Sequence, residues 1–68
     1  MLEHQQRVVT EKEELDTKAN ALSDFIGNNP LFLKVDADEQ ERMKEQCETM
    51  WELSEILGKR IEYFGKAL

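Results

Sequence analysis

The chain has 68 residues, with 9 Lys and Arg against 15 Asp and Glu, so its net charge is -6 at pH 7. This balance argues against duplex nucleic acid as the main partner, because neutralising a phosphate backbone requires a basic surface. One cysteine and one histidine exclude an internal disulfide and a four-ligand zinc site. So short a chain buries only ~60% of its unfolded surface, so we expect one domain, residues 1–68, that oligomerises.

The first predicted helix covers residues 3–26, which are good helix formers without proline or an interior glycine. Plotted at 100° per residue, the apolar residues form one stripe, made of Val8, Leu15, Ala19, Leu22 and Ile26. The stripe is interrupted at Glu11 and Lys12, where apolar residues are expected. Gly27 is expected to end the helix as a left-handed cap.

Residues 27–35 form the predicted linker. Asn29 followed by Pro30 predicts a single short helical turn with the asparagine as its N-cap. The linker also carries apolar side chains that are expected to cover the end of the hairpin against Phe25 and Met43. These side chains are Leu31, Phe32 and Val35.

The second predicted helix covers residues 36–64. Asp36 with Glu39 resembles a capping box, and Gly65 is expected to end the helix. Apolar and small residues recur alternately every four and three positions, at Met43, Cys47, Met50, Ser54, Leu57, Ile61 and Phe64. This period is typical of a helix that packs along a second helix. The predicted fold is therefore all-α, an antiparallel two-helix hairpin with a short linker.

The apolar residues of the second helix cover an arc of roughly 240°, wider than the ~100° that one partner helix covers. We therefore expect the hairpins to assemble into a homo-oligomeric helical bundle. Gly58 costs ~1 kcal/mol relative to alanine inside a helix, which indicates that something approaches the helix backbone closely at this position. The residues expected at the oligomer interface are Trp51, Leu53, Ile56 and Gly58.

An antiparallel hairpin brings the start of the first helix beside the end of the second. Cationic and aromatic side chains then lie together at one end of an otherwise acidic hairpin. They are His4, Arg7, Lys59, Arg60, Tyr63 and Lys66. Guanidinium groups hold phosphate bidentately, and an aromatic ring stacks on a base. The alternative is that Arg42 and Arg60 pair with glutamates across an oligomer interface.

Several classes of protein are not supported by the sequence. The N-terminus has no apolar segment typical of a signal peptide, and no apolar run reaches the ~20 residues that span a bilayer. A free thiol fits the cytoplasm, where we expect the protein to act. The chain has no nucleophile and base pair, no glycine-rich phosphate loop and no metal-ligand spacing. We therefore expect no enzyme activity, no metal and no cofactor.

The segments EHQQRVVTEKEELDTKANALSDFI and ADEQERMKEQCETMWELSEILGKRIEYF, joined by a short linker with an apolar phenylalanine, resemble a family of small phage and prophage proteins. That family is named after a gene of a crAss-like phage. The resemblance extends from Glu3 to Phe64. More distantly, the shape is similar to the hairpin domain of phage sponges that counter the CBASS and Thoeris defences.

Those sponges are helical-hairpin oligomers, commonly hexamers, that sequester cyclic nucleotides without cleaving them. The resemblance implies a phage protein that binds a cyclic dinucleotide or a cyclic ADP-ribose derivative between subunits, to counter host antiviral defence. Cationic side chains would contact phosphates, polar ones would contact base or ribose edges, and a phenol would stack on a base. The candidates for the phosphate contacts are Arg7, Lys18 and Arg60. Gln46 and Ser54 are the candidates for the base or ribose edges, and Tyr63 is the candidate for stacking.

Three alternatives remain open at this point. Arg60 and Lys18 could form ion pairs with Glu11 and Glu14 of another subunit instead of binding a ligand. The protein could be a small acidic inhibitor that occupies a basic surface of a host protein, as a mimic of nucleic acid. It could also be a structural coiled-coil adaptor.

Overall fold

The computed structural model describes residues 1–66, which form an all-α hairpin of two long helices. Helix α1 comprises Glu3–Asn28, a 3-10 turn comprises Pro30–Lys34, and helix α2 comprises Ala37–Lys66. The helices pack against each other over their length, and the molecule measures 50 × 15 × 15 Å. The predicted two-helix hairpin with a short linker is confirmed.

The seam predicted along α2 is the buried side of the helix. Cys47, Ser54 and Leu57 are buried, and Leu57 is only 2% exposed. The seam positions between and beyond them are half-buried, at Met43, Met50, Ile61 and Phe64. From α1, Val8 and Ala19 are the buried apolar residues. Helix α1 therefore buries the central residues of the seam and leaves the other seam residues partly exposed to solvent.

The linker closes one end of the hairpin. The Asn29 side chain accepts a hydrogen bond from the Leu31 N–H at 2.9 Å, which confirms the predicted cap. Phe32 is buried and packs edge-on against Phe25, with ring centroids 6.1 Å apart. Leu31, however, is 56% exposed, so the prediction that it covers the hairpin end is wrong. In a 3-10 turn successive side chains point in different directions, and only Phe32 is directed at the helices.

Gln40 of α2 fastens the linker to the start of the second helix. Its side-chain amide donates to the backbone carbonyls of Phe32 at 2.9 Å and Val35 at 2.8 Å. The Phe32 carbonyl also accepts the Val35 N–H at 3.1 Å and takes Gln40 as a second donor. The Val35 carbonyl is paired by Gln40, which removes the cost of leaving it unsatisfied. The sequence pattern did not identify this contact.

The helix ends differ from those predicted. Both Gly27 and Gly65 lie inside helices, and neither has a positive φ. Helix α1 ends at Asn28 because Pro30 forces the residue before it out of the helical region, and Asn29 is extended at φ -95°, ψ 120°. Helix α2 runs past Gly65 to Lys66. Proline, not glycine, therefore ends the first helix.

Asp36 caps α2 as predicted, and its carboxylate accepts from the Asp38 N–H at 3.2 Å. Helix α2 itself begins one residue later, at Ala37. Glu39 does not complete the predicted capping box in this structure, because its carboxylate pairs with the Arg42 guanidinium at 2.8 Å. The start of α2 is thus held by one side-chain cap and by Gln40.

The neighbouring residues Leu57 and Ile56 test which side of α2 holds the hairpin together. We expect Leu57→Asp to remove ~3–5 kcal/mol of stability, because it buries a charge and loses apolar packing, and thus to abolish helical circular dichroism. Ile56 is 54% exposed, and Ile56→Asp should keep the helical spectrum. Equal loss of helicity in both variants, measured by circular dichroism, would contradict this assignment of the core.

Candidate functional site

A polar cluster crosses the seam between the two helices. The Lys12 ammonium of α1 donates to the Ser54 hydroxyl of α2 at 2.9 Å and to the Asp16 carboxylate at 2.7 Å. The Ser54 hydroxyl donates in turn to Asp16. Lys12 is one of the two residues that interrupt the apolar stripe of α1, and this contact explains the interruption.

Gly58 leaves the space that Lys12 occupies. A Cβ atom at position 58 would lie 3.2 Å from Cε of Lys12, closer than most such contacts in proteins. The close approach that the sequence indicates at Gly58 is therefore made by a side chain of the same hairpin. Gly58 is half-buried at this place, although it was expected at the interface between subunits.

The lysine lowers the pKa of Asp16. The hydrogen bond from Lys12 contributes most, and the hydrogen bond from Ser54 adds to it. Partial burial opposes both effects, because it disfavours the charged carboxylate. The carboxylate is therefore held in its ionised form beside the ammonium.

A second polar group lies on the same edge of the hairpin, nearer the linker. The Ser23 hydroxyl is 3.1 Å from the Cys47 thiol and accepts from the Trp51 indole N–H at 3.2 Å. We call this side, defined by Lys12, Asp16, Ser23, Trp51 and Ser54, the polar edge. Trp51, predicted at the oligomer interface, is bound to α1 of its own chain by this hydrogen bond.

The opposite side of α2 carries the large apolar side chains that the hairpin leaves uncovered. Leu53 is 41% exposed, Ile56 54% and Tyr63 66%. We call Leu53, Ile56, Arg60 and Tyr63 the outer stripe. They recur at intervals of three and four residues, which aligns them on one side of the helix. The prediction that α2 has apolar surface beyond its seam is confirmed.

A groove of about 420 Å³ lies at the C-terminal end of the outer stripe. Its lining residues are Ile56, Lys59, Arg60, Tyr63 and Phe64. Lys59 lies 3.5 Å from Glu55, whereas Arg60 forms no ion pair within residues 1–66. The groove therefore combines an apolar floor with a guanidinium group and an exposed phenol ring.

The structure separates the other predicted ligand-binding residues. Ser54 is 5% exposed and its hydroxyl is engaged by Asp16, so it lies inside the hairpin. Gln46 is exposed on α2 and lies 14 residues before Arg60, a distance of ~21 Å along the helix. Lys18 is exposed on α1. Of the six candidates, one hairpin brings only Arg60 and Tyr63 into the same groove.

Arg7 lies near the same end of the molecule but on another surface. Its guanidinium pairs with Glu3 at 2.9 Å, and both are largely exposed. A groove of about 360 Å³ on α1 is lined by Arg7 together with Glu3, Gln6, Thr10, Glu11 and Glu14. Three carboxylates against one guanidinium make this surface acidic, unlike the groove on α2.

Two further findings concern other kinds of site. Within residues 1–66, no group of three or more His, Cys, Asp or Glu side chains is placed to hold a metal ion. Neither of the two long helices in that range is apolar enough over a sufficient length to cross a membrane.

Comparison with known proteins places the hairpin among small phage proteins. The chain is 44% identical over 64 residues to an uncharacterized 7.5 kDa protein in the denB-rIIB intergenic region of Enterobacteria phage T4. That match covers 94% of this chain and 98% of the relative. No solved structure matches this chain.

The model of the Sequestin family matches residues 2–63. The chain therefore belongs to the Sequestin family, whose name indicates sequestration. The resemblance to a family of small phage proteins, inferred from the sequence of the two helices, is confirmed.

The lowered pKa of Asp16 predicts a pH-dependent contribution to stability. The folded protein binds this proton less tightly than the unfolded chain, so the contribution is present above the ordinary pKa of 3.8. It is lost as pH falls through the lower folded-state value. Asp16→Asn should therefore be less stable than the wild type at pH 7, and the difference should shrink at pH ~3.

Urea unfolding of both proteins at the two pH values measures this effect. Asp24→Asn is the matched control, because Asp24 is an exposed residue of α1 that accepts from Asn28 within its own helix at 2.8 Å. At pH 7 it should lower stability less than Asp16→Asn does. A difference between wild type and Asp16→Asn that is equal at both pH values would contradict the assignment.

Proposed function

We propose that this Sequestin protein is a phage-encoded binder that sequesters a cyclic nucleotide signal of host antiviral immunity. The signal would be a cyclic dinucleotide or a cyclic ADP-ribose derivative, held in the cytoplasm of the infected cell. The observation that carries the proposal is the groove on α2, where the Arg60 guanidinium, which forms no ion pair within residues 1–66, stands beside the exposed Tyr63 ring. The name of the family, which indicates sequestration, supports it.

The chemistry of the groove suits a small anion that carries a flat ring. A guanidinium forms two parallel hydrogen bonds with a phosphate, and Lys59 adds a second positive charge nearby. The Tyr63 ring can stack on a base, while Ile56 and Phe64 supply apolar contact. A volume of about 420 Å³ falls in the range of small-molecule sites.

The net charge favours a small nucleotide over a long one. With a charge of -6, the surface repels an extended phosphate backbone, which requires many cations along its path. A small ring with two phosphates requires only local positive charge, which Arg60 provides and to which Lys59, 3.5 Å from Glu55, adds. In this proposal the protein acts by stoichiometric binding and does not cleave its ligand.

The groove is open on its outer side, so one hairpin covers only part of a bound nucleotide. We include in the proposal that the protein acts as a homo-oligomer in which a second subunit covers the ligand. The exposed Leu53 and Ile56 support this part, since large apolar side chains at the surface of so charged a chain are typical of an interface.

Calorimetric titration with cyclic dinucleotides and cyclic ADP-ribose isomers tests the proposal. We expect binding of at least one of them, and Arg60→Ala should weaken it ~10–150-fold, the range for a hydrogen bond to a charged group. Arg42→Ala is the matched control, because Arg42 lies on the same helix, is paired with Glu39 and is remote from the groove. The absence of heat with every compound would overturn the proposal.

The fate of the bound compound distinguishes sequestration from an enzyme activity. Heating the complex and analysing the supernatant by chromatography should recover the nucleotide unchanged and in full. Recovery of a cleaved product would show that the protein is not a simple binder.

The acidic surfaces favour a second candidate, an inhibitor that occupies a basic surface of a host protein. Glu3, Glu11 and Glu14 line one surface groove of α1, and α2 carries further exposed glutamates. Replacing these three by glutamine should abolish the capture of a basic host protein while leaving nucleotide binding intact. The structural adaptor requires every arginine of the assembly to be paired with a glutamate; within residues 1–66 of one hairpin, Arg7 and Arg42 are paired in this way and Arg60 is not.

A further inference from the structure

Helix α2 carries a second heptad seam in addition to the one that faces α1. Positions at alternating intervals of three and four residues form it, namely Gln46, Thr49, Leu53, Ile56, Arg60 and Tyr63. All six side chains are exposed in the hairpin. Leu53 and Ile56, at the centre, are apolar, and the positions on either side are polar or aromatic. Such a period is typical of a helix that packs along another helix.

The charges beside this second seam follow the same period and divide into two halves. Residues spaced by seven lie along one flank, in the order Glu45, Glu52, Lys59 and Lys66. The first two are acidic, the last two are basic, and all four are exposed. A seven-residue spacing places them at equivalent positions of the heptad, immediately before the seam residues, where interhelical ion pairs form.

We infer that α2 pairs with α2 of a second copy in the antiparallel direction, about a two-fold axis between Leu53 and Ile56. Each Leu53 then packs on Ile56 of the partner subunit. In an antiparallel pair, the same flank of both helices meets, so Lys59 faces the partner's Glu52 and Lys66 faces the partner's Glu45. The opposed helix dipoles favour the same direction.

A parallel pairing of the two α2 helices would form no ion pairs between these charges. In a parallel pair the charged flank of each helix would face the opposite flank of its partner, so these charges would not meet one another. The flank on the opposite side of the second seam consists of Met50, Leu57 and Phe64, which belong to the hairpin's own seam and offer no ion pairs. The distribution of charge on α2 therefore complements a second, antiparallel copy of the same helix.

The pairing changes which residues share a site. In one hairpin, Gln46 lies ~21 Å along α2 from Arg60. In the antiparallel pair, Gln46 of the partner subunit is level with Tyr63, and the partner's Thr49 is level with Arg60. Two equivalent composite grooves result, one at each end of the apolar centre. This last step rests on the proposed function, whereas the pairing itself does not.

Charge reversal tests the pairing without any nucleotide. Lys59→Glu places like charges together twice in each dimer, and we expect the dissociation constant of the dimer to rise by at least about tenfold. Adding Glu52→Lys to the same chain restores opposite charges and should return the constant to within about threefold of the wild type. Sedimentation equilibrium measures all three proteins.

Lys44→Glu is the matched control. It makes the same charge change on α2, disrupts a comparable intrahelical pair with Glu41 at 3.7 Å, and lies away from the second seam. Its dimer should dissociate like the wild type. A monomeric wild type at 100 µM, an unaltered dimer in Lys59→Glu, or no recovery in the double variant would overturn the inference. If the masses agree but no nucleotide binds, the pairing stands and the proposed function fails.

Discussion

The register of the hairpin depends on one lysine that crosses from the first helix to the second. An apolar seam with a repeating period allows neighbouring registers of similar burial, since a shift by one heptad again places apolar residues against apolar residues. Lys12 restricts this freedom, because its ammonium reaches the Ser54 hydroxyl only when the two residues lie opposite each other, and its Cε lies where a Cβ at position 58 would crowd it. A polar contact inside an apolar seam thus specifies the alignment.

The arrangement at the polar edge also decides which side of α2 is left for a partner. Trp51 and Ser54 are engaged by α1, and Gly58 is filled by Lys12. Within residues 1–66, the outer stripe, on the other side of the seam, receives no such contacts from α1. Trp51 and Gly58, which were expected to contact another subunit, are therefore used within the chain, and the large apolar residues Leu53 and Ile56 are the ones left exposed.

Much of the fold could be predicted because it depends on periodic features. The spacing along α2 identified the buried seam, and Asn29 with Pro30 identified the linker turn. The contacts that the sequence did not predict are made by single side chains whose partners do not recur at a regular spacing in the sequence. Gln40 is one, since nothing in its neighbours shows that two linker carbonyls lie within its reach. The cap predicted at Gly27 was wrong because Pro30 restricts the backbone of Asn29 and so ends the helix there instead.

Within residues 1–66, a connecting segment joins the two helices at one end of the hairpin only. At the linker end, Phe32, Asn29 and Gln40 make contacts between residues near in sequence, whereas at the opposite end of the described residues 1–66 the two helices meet through residues distant in sequence. Local contacts form with the smallest loss of chain entropy, so folding is expected to start at the linker and to proceed along the helices like a zipper. The end with Arg60 and Tyr63 then closes last and opens first. A ligand bound at this end would contact the part of the hairpin that opens most readily, and its contacts would stabilise the closed form of that part.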